Sequence, residues 1–238
     1  GRSDPTTTPA TGTAVANTGT IDAGRGTAVL AAGDFYSIAI THDGRLAGRD
    51  VRLQGQGRGD VLVSGSIDTS APGIGGHVEI TGERVGLVGH ASINASGPAG
   101  GGTILVGGDY QGGNAAVRNA ARTFVGTDVT LNANATTAGD GGKVIVWADE
   151  ATRFHGTITA RGGAAGGDGG LAEVSGKGWL EYRGLADLTA ALGRTGTLLL
   201  DPTDITINGA GVDANPTFGS FSGGIFDGGA NNTSVISI

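Results

Sequence analysis

Six carboxylates stand beside apolar, strand-like runs in the second half of the chain: Asp149, Glu150, Glu173, Glu181, Asp201 and Asp204. Two carboxylates about 5 to 9 Å apart would suit glycoside hydrolysis, where one protonates the leaving oxygen and the other acts as base or nucleophile. The spacing of these six does not stack them on one another. Glu173 falls between Ala172 and Val174 and so points outward, while Asp201 and Asp204 flank Pro202 in a turn. We read them as solvated turn carboxylates and the chain as a non-enzyme.

The four histidines, His42, His77, His90 and His155, lack the close spacing of a zinc site, and outward strand or turn positions are expected for them. Cysteine is absent, which removes thiolate ligands, disulfides and cysteine nucleophiles together. The glycine-rich run from Gly162 to Gly170 has no following Lys-Ser/Thr and opens a strand, not the helix of a phosphate loop. Asp168 in GGDGG resembles a calcium-binding nonapeptide but is not repeated in tandem. No metal and no cofactor is expected. Trp147, Arg153, Lys177, Trp179, Tyr182 and Arg183 could form a sugar-binding strip, because aromatic faces stack on pyranose rings while charged groups bond hydroxyls. Trp147, Trp179 and Tyr110 are the candidate carbohydrate contacts. The competing reading has Phe154 and Tyr182 pointing inward and stacked between coils, with the tryptophans shielding the edges of the core. Asn94, Asn134, Asn231 and Asn232 each begin an Asn-x-Ser/Thr triplet, a glycosylation acceptor if exposed.

The elements that must position these groups are short. Of 238 residues 49 are glycine, about three times ordinary usage, without a Gly-X-Y period. Hydrophobic residues make up 38%, enough for a core, but aromatics only 5%, so that core is built of small aliphatic side chains. The net charge is −7 and no stretch concentrates Lys or Arg, which argues against nucleic acid as a partner. No apolar run approaches the 18 to 20 residues of a membrane-spanning helix. The chain begins at Gly1, contains no methionine and carries no signal-peptide pattern, so it reads as a piece of a longer polypeptide.

A repeat organises the rest. Glycine, one variable residue, then two apolar residues separated by one position recur at Gly26/Ala28/Leu30, Gly59/Val61/Val63, Gly76/Val78/Ile80, Gly102/Ile104/Val106, Gly142/Val144/Val146, Gly170/Ala172/Val174 and Gly196/Leu198/Leu200. In phase with these runs a second apolar series: Ile21, Leu46, Ile67, Ile93, Leu131, Ile158 and Leu188. A third, less regular segment shows at Arg84 to Val88, Arg153 to His155 and Trp179 to Arg183. Each unit of about 26 residues thus holds three strand-like pieces with the period of two of a half-buried strand. Strands so short bury their apolar face only by stacking unit upon unit about 4.8 Å apart, which makes an all-β parallel solenoid. About nine coils and a shaft on the order of 40 Å are expected. Val144 and Val146 should face inward and Ile145 outward. The spacing of 38 from Ile93 to Leu131 marks an inserted loop or short helix near 107–127, with Asn114 to Phe124 at roughly helical intervals. Residues 1–12 form a Thr/Pro-rich lead-in, 13–208 the solenoid, and 209–238 an irregular cap or a linker to a following segment.

GGDYQGG at 107–113, the stretch GDGGKVIVWADEATRFHGTITARGGAAGGDGGLAEVSGKGWLEYRGLADL at 139–188, and TGTLLLDPTDITI at 195–207 resemble the repeat region of large filamentous-haemagglutinin-like exoproteins, which Gram-negative bacteria secrete by the two-partner route. The resemblance implies a right-handed parallel β-helix, an outer-membrane transporter as partner of the parent protein, and a secreted or cell-surface location. It also implies a non-enzymatic role in adhesion, aggregation or biofilm matrix, with carbohydrate or a host or bacterial cell surface as the partner. The sole Asn-Pro, Asn215-Pro216, is followed by Thr, where the family's amino-terminal secretion module carries Asn-Pro-Asn; this places the chain in the rod downstream of that module, or as a divergent relative. Two alternatives stand beside the adhesive reading. One is a polysaccharide-degrading enzyme on the same scaffold; the other is a filament subunit assembling head to tail through its open coil ends.

Overall fold

In the computed structural model, the described residues are 10–33 and 36–201, together with the strand segments Ile205–Thr206, Ile225–Phe226 and Ser234–Ile236. The lead-in before Ala10 and most of the stretch after Asp201 lie outside them, as do Asp204, Asn231 and Asn232.

The chain winds into a β-solenoid of three parallel sheets, one strand of each per coil. The first sheet has seven strands, from Ala10–Asn17 to Trp179–Tyr182, and the second also has seven, from Thr20–Asp22 to Leu185–Asp187. The third runs from Thr27–Ala32 to Thr197–Leu200, and an eighth strand, Ser234–Ile236, pairs antiparallel with its last member. Seven rungs at about 4.8 Å make a shaft of roughly 34 Å, shorter than the nine-coil expectation. The inserted loop lengthens one coil without adding a rung, and after Asp201 no further parallel rung follows among the described residues.

Register is kept from coil to coil. In the third sheet Ala28, Val51, Val78, Ile104, Val144, Ala172 and Leu198 stack in one inward column. Gly59/Val61/Val63 does not belong to it: Asp60–Val63 is a strand of the first sheet, and Asp50–Gly55, with Val51 and Leu53 buried, takes the place in the third. A glycine corner followed by alternating apolar residues marks any inward strand, not one particular sheet. In the second sheet the last rung after Ile158 is Ala186, and Leu188 fills the adjoining corner, 4% exposed. Phe154 and Tyr182 stack inside with ring centroids 5.5 Å apart and planes 8° apart, as the inward reading of these two expected.

His42 is wholly buried, where an outward position was expected. It sits in the inward column between Asn17 and Val63. Asn17 Nδ2 donates to its Nδ1 (3.1 Å) and its Nε2 donates to the Ser66 carbonyl (3.0 Å). Burial lowers its pKa below the usual value, and this bonding suits the neutral ring. An imidazole with both nitrogens satisfied substitutes for an aliphatic residue, a use that period-two patterning cannot signal.

The second and third sheets meet at a corner built on glycine. The N–H of Gly76, Gly102, Gly142, Gly170 and Gly196 donates to the carbonyl of Thr69, Ala95, Ala133, Ala160 and Leu188 in turn, closing a loop within each coil at 2.7 or 2.8 Å. A Cβ on Gly102, Gly142, Gly170 or Gly196 would overlap the carbonyl oxygen of the equivalent glycine one coil earlier. Just before four of these five loops, Asp68, Asn94, Asn132 and Asp187 accept the N–H two residues on, so those turns are set by their own side chains.

Gly142→Ala sets a methyl group against backbone on the neighbouring coil, where nothing can swing aside, and should destabilise by about 3 kcal/mol. Gly73→Ala, with open space around its Cβ, should stay within about 0.5 kcal/mol of the parent chain. Thermal melts of the two variants check the difference; equal melting temperatures would refute the corner's role.

Candidate functional site

The insertion is an ordered strap across the outer face of the third sheet, with a single 3-10 turn at Tyr110–Gly112 and no longer helix. It begins where Thr103–Val106 ends and rejoins the coil at Arg122–Val125. The sequence lets it lie flat. Cβ atoms on Gly108 and Gly112 would come within 2.7 and 2.6 Å of the Trp147 indole, so bare backbone rests on the ring. Leu105, Val117, Ile145 and Trp147 make a second small apolar core beneath the strap. Ile145 does face away from the main core, but the strap leaves it 0% exposed; outward and exposed are different things here.

Polar bonds hold the strap at both ends. Lys143 Nζ meets Asp109 Oδ1 at 2.9 Å, and Asn114 Nδ2 donates to Asp109 Oδ2 at 2.8 Å. Trp147 Nε1 and Asn119 Nδ2 both donate to Asp149 Oδ1, at 3.0 and 3.1 Å. Arg118 reaches back to the Gly55 carbonyl (2.9 Å), the Gly57 carbonyl and Glu83 Oε2 (2.6 Å). In the other direction, the Gln111 N–H donates to both carboxylate oxygens of Glu173, at 3.2 and 3.0 Å. Gln111 is the only non-glycine at positive φ (53°) among the described residues, a strained backbone that this bond stabilises.

Glu173 is fully buried. Burial, aided by the negative charges of Asp201 and Asp109, pushes its carboxyl up to about 7 against the opposing bond from Gln111. Asp109 goes the other way: burial raises it, but bonds from Asn114, Lys143 and the Tyr110 N–H outweigh that and hold it below the usual carboxylate range.

The other residues singled out from sequence fall as follows. Tyr110 is 42% exposed on the strap, Trp147 is 5% exposed under it, and Trp179 is 44% exposed on the first sheet with the Arg153 guanidinium 5.2 Å from its ring centroid. The three candidate sugar contacts therefore lie on two faces and do not form one strip, and a ligand reaches Trp147 only if the strap lifts. Glu150 is paired with Arg122, and Glu181 with Arg153 and Arg183. No group of three or more His, Asp or Glu is placed to hold a metal ion among the described residues. Asn134 is 8% exposed and its Oδ1 accepts the Arg161 N–H, while Asn94 caps its own turn.

No family model and no curated protein matches the chain. Among solved structures it is similar to the secretion domain of HMW1 from Haemophilus influenzae, with 26% identity and a TM-score of 0.62. The match covers 76% of this chain and 48% of that one, so this chain spans about half of the solved domain. The solenoid and this likeness bear out the resemblance to the filamentous-haemagglutinin-like two-partner-secretion exoproteins. The likeness is to a secretion domain, where the lone Asn-Pro had pointed to the rod downstream of one or to a divergent relative.

Because Glu173 binds its proton more tightly folded than unfolded, its contribution to stability is complete below pH 4.5 and is lost as pH rises to about 7. Glu173→Gln cannot ionise and keeps an oxygen for the Gln111 N–H. It should gain on the parent chain by about 3 kcal/mol between these limits, with the gain constant above pH 7. Denaturant melts across this range check it, and a difference independent of pH would show that Glu173 is not a strained buried acid.

Proposed function

We propose that this chain is a non-enzymatic, extracellular β-solenoid segment of a protein secreted by a Gram-negative bacterium through a two-partner outer-membrane transporter, acting at the cell surface in adhesion or aggregation. The observation that carries the reading is the seven-rung parallel solenoid with its likeness to the HMW1 secretion domain. The strap supports a role as a stable scaffold and not a catalyst: Asp149 is tied to Trp147 and Asn119, and Glu173 to Gln111. Exposed Tyr110 and Trp179 are available for contact with sugars, while Trp147 serves by supporting the strap.

The reading is tested with the purified chain coated on beads and offered to epithelial and bacterial cells. Several-fold more beads should be retained than with albumin-coated controls, and no reducing ends should appear when the chain is incubated with neutral or acidic polysaccharides. Retention at the control level would refute adhesion. Release of reducing ends, abolished by Glu173→Gln or Asp149→Asn, would make the chain an enzyme instead.

A further inference from the structure

The outer face of the first sheet brings together side chains that the sequence scatters from position 60 to position 181. Successive rungs put Asp60, Arg84, Arg122, Ala151 and Trp179 in one row, and Leu62, Gly86, Phe124, Arg153 and Glu181 in the row beside it. Between them runs a shallow groove of about 850 Å³, crossing the coils along the shaft. In its floor the Leu62 side chain leans over Gly86, where a Cβ would stand 3.0 Å from Leu62 Cδ1.

The side chains of Arg84, Arg122 and Arg153 are 61%, 66% and 60% exposed; of their carboxylate partners Asp60 and Glu181 lie deeper, 18% and 21% exposed, while Glu150 stands at the surface, 59% exposed. Arg122 and Arg153 meet Glu150 and Glu181 through Nε, at 3.0 and 3.5 Å, and the Nη edges of both carry no hydrogen bond among the described residues. In the groove's lining three arginines, Arg84, Arg122 and Arg153, stand against two carboxylates, Asp60 and Glu150, a local surplus of positive charge on a chain of net charge −7. A guanidinium edge takes a planar carboxylate by two parallel bonds. Trp179 and Phe124, 44% and 37% exposed, add aromatic faces of the kind on which sugar rings stack.

We propose that this groove binds a uronate-bearing glycan, with sugar carboxylates on the Nη edges of Arg122 and Arg153 and sugar rings against Trp179 and Phe124. The open, elongated shape suits a chain-like ligand better than a compact one, which takes an enclosed cavity. A nucleic acid fits less well, since its closely spaced phosphates would lie over the carboxylates that share these rows. The proposal rests on the adhesive reading in one respect: the groove must face the outside of the cell.

The test is calorimetric titration of the whole chain with oligogalacturonate, alongside neutral dextran oligomers, dextran sulfate and single-stranded DNA. Oligogalacturonate should bind, and added salt should weaken it. Arg122→Gln with Arg153→Gln should lower the affinity about tenfold or more. Trp179→Ala should also weaken it, and Arg45→Gln on the second sheet should leave it unchanged. If the double substitution fails to fold in a thermal melt, Arg122→Lys, which keeps the charge and loses the planar edge, should still weaken binding several-fold. No binding of oligogalacturonate overturns the proposal. So does dextran, dextran sulfate or DNA binding as tightly, or affinity that survives the substitutions. Bead retention lost while glycan binding persists counts against the adhesive reading alone; bead retention without glycan binding counts against this site alone.

Discussion

From the third coil on, each coil of this solenoid rests on the one before it at a corner where two backbones come closer than a side chain permits. At the corner between the second and third sheets, the carbonyl of one glycine lies where the Cβ of the next would be, from Gly76 to Gly196. The same glycines close each coil through an N–H to a carbonyl at the end of the second sheet. The parallel pairing of the later coils is built around that approach; in the second coil Arg49 stands at the same position. A corner held apart by one methyl group would open the rung spacing in the strands on either side, and those strands are too short to bury their apolar faces without a neighbour.

Within that frame the inward positions were legible because they obey one rule. Val144 and Val146, and the series Ile67, Ile93, Leu131 and Ile158, alternate with outward residues and are buried as the spacing requires. Where the sequence misled, the rule was right but incomplete. Gly59/Val61/Val63 obeys it in the first sheet and not the third, because the pattern carries no sheet label. His42 is buried by virtue of two hydrogen bonds, which hydrophobic spacing cannot register.

Outward positions were harder to read, since what covers or joins them comes from elsewhere in the chain. Ile145 and Glu173 are outward by period and yet buried, because a strap that begins tens of residues earlier lies over them. The local signal for this was present in the insertion and in the glycines on either side of Tyr110, but its target, Trp147, was not. Likewise Arg84, Arg122 and Arg153 make no basic run in the sequence. Stacking alone turns them into a face, which is why composition argued against a basic surface and the structure provides a small one.

Arg118 bonds to carbonyls 63 and 61 residues before it, and Gln111 to a carboxylate 62 residues after it. Rung-to-rung contacts elsewhere join residues only about one coil apart in sequence, so the strap holds the contacts of highest sequence separation on this side of the molecule. Closing such long loops costs entropy before it returns any stabilisation, and non-local contacts of this kind slow folding. If coils form in order from the amino-terminal end, Arg118 finds its partners already built, while Gln111 must wait until Glu173 has been wound into place. The backward contact then fixes the register of the early coils, and the forward contact forms later, as a check that the rungs up to Glu173 have been laid down without a slip.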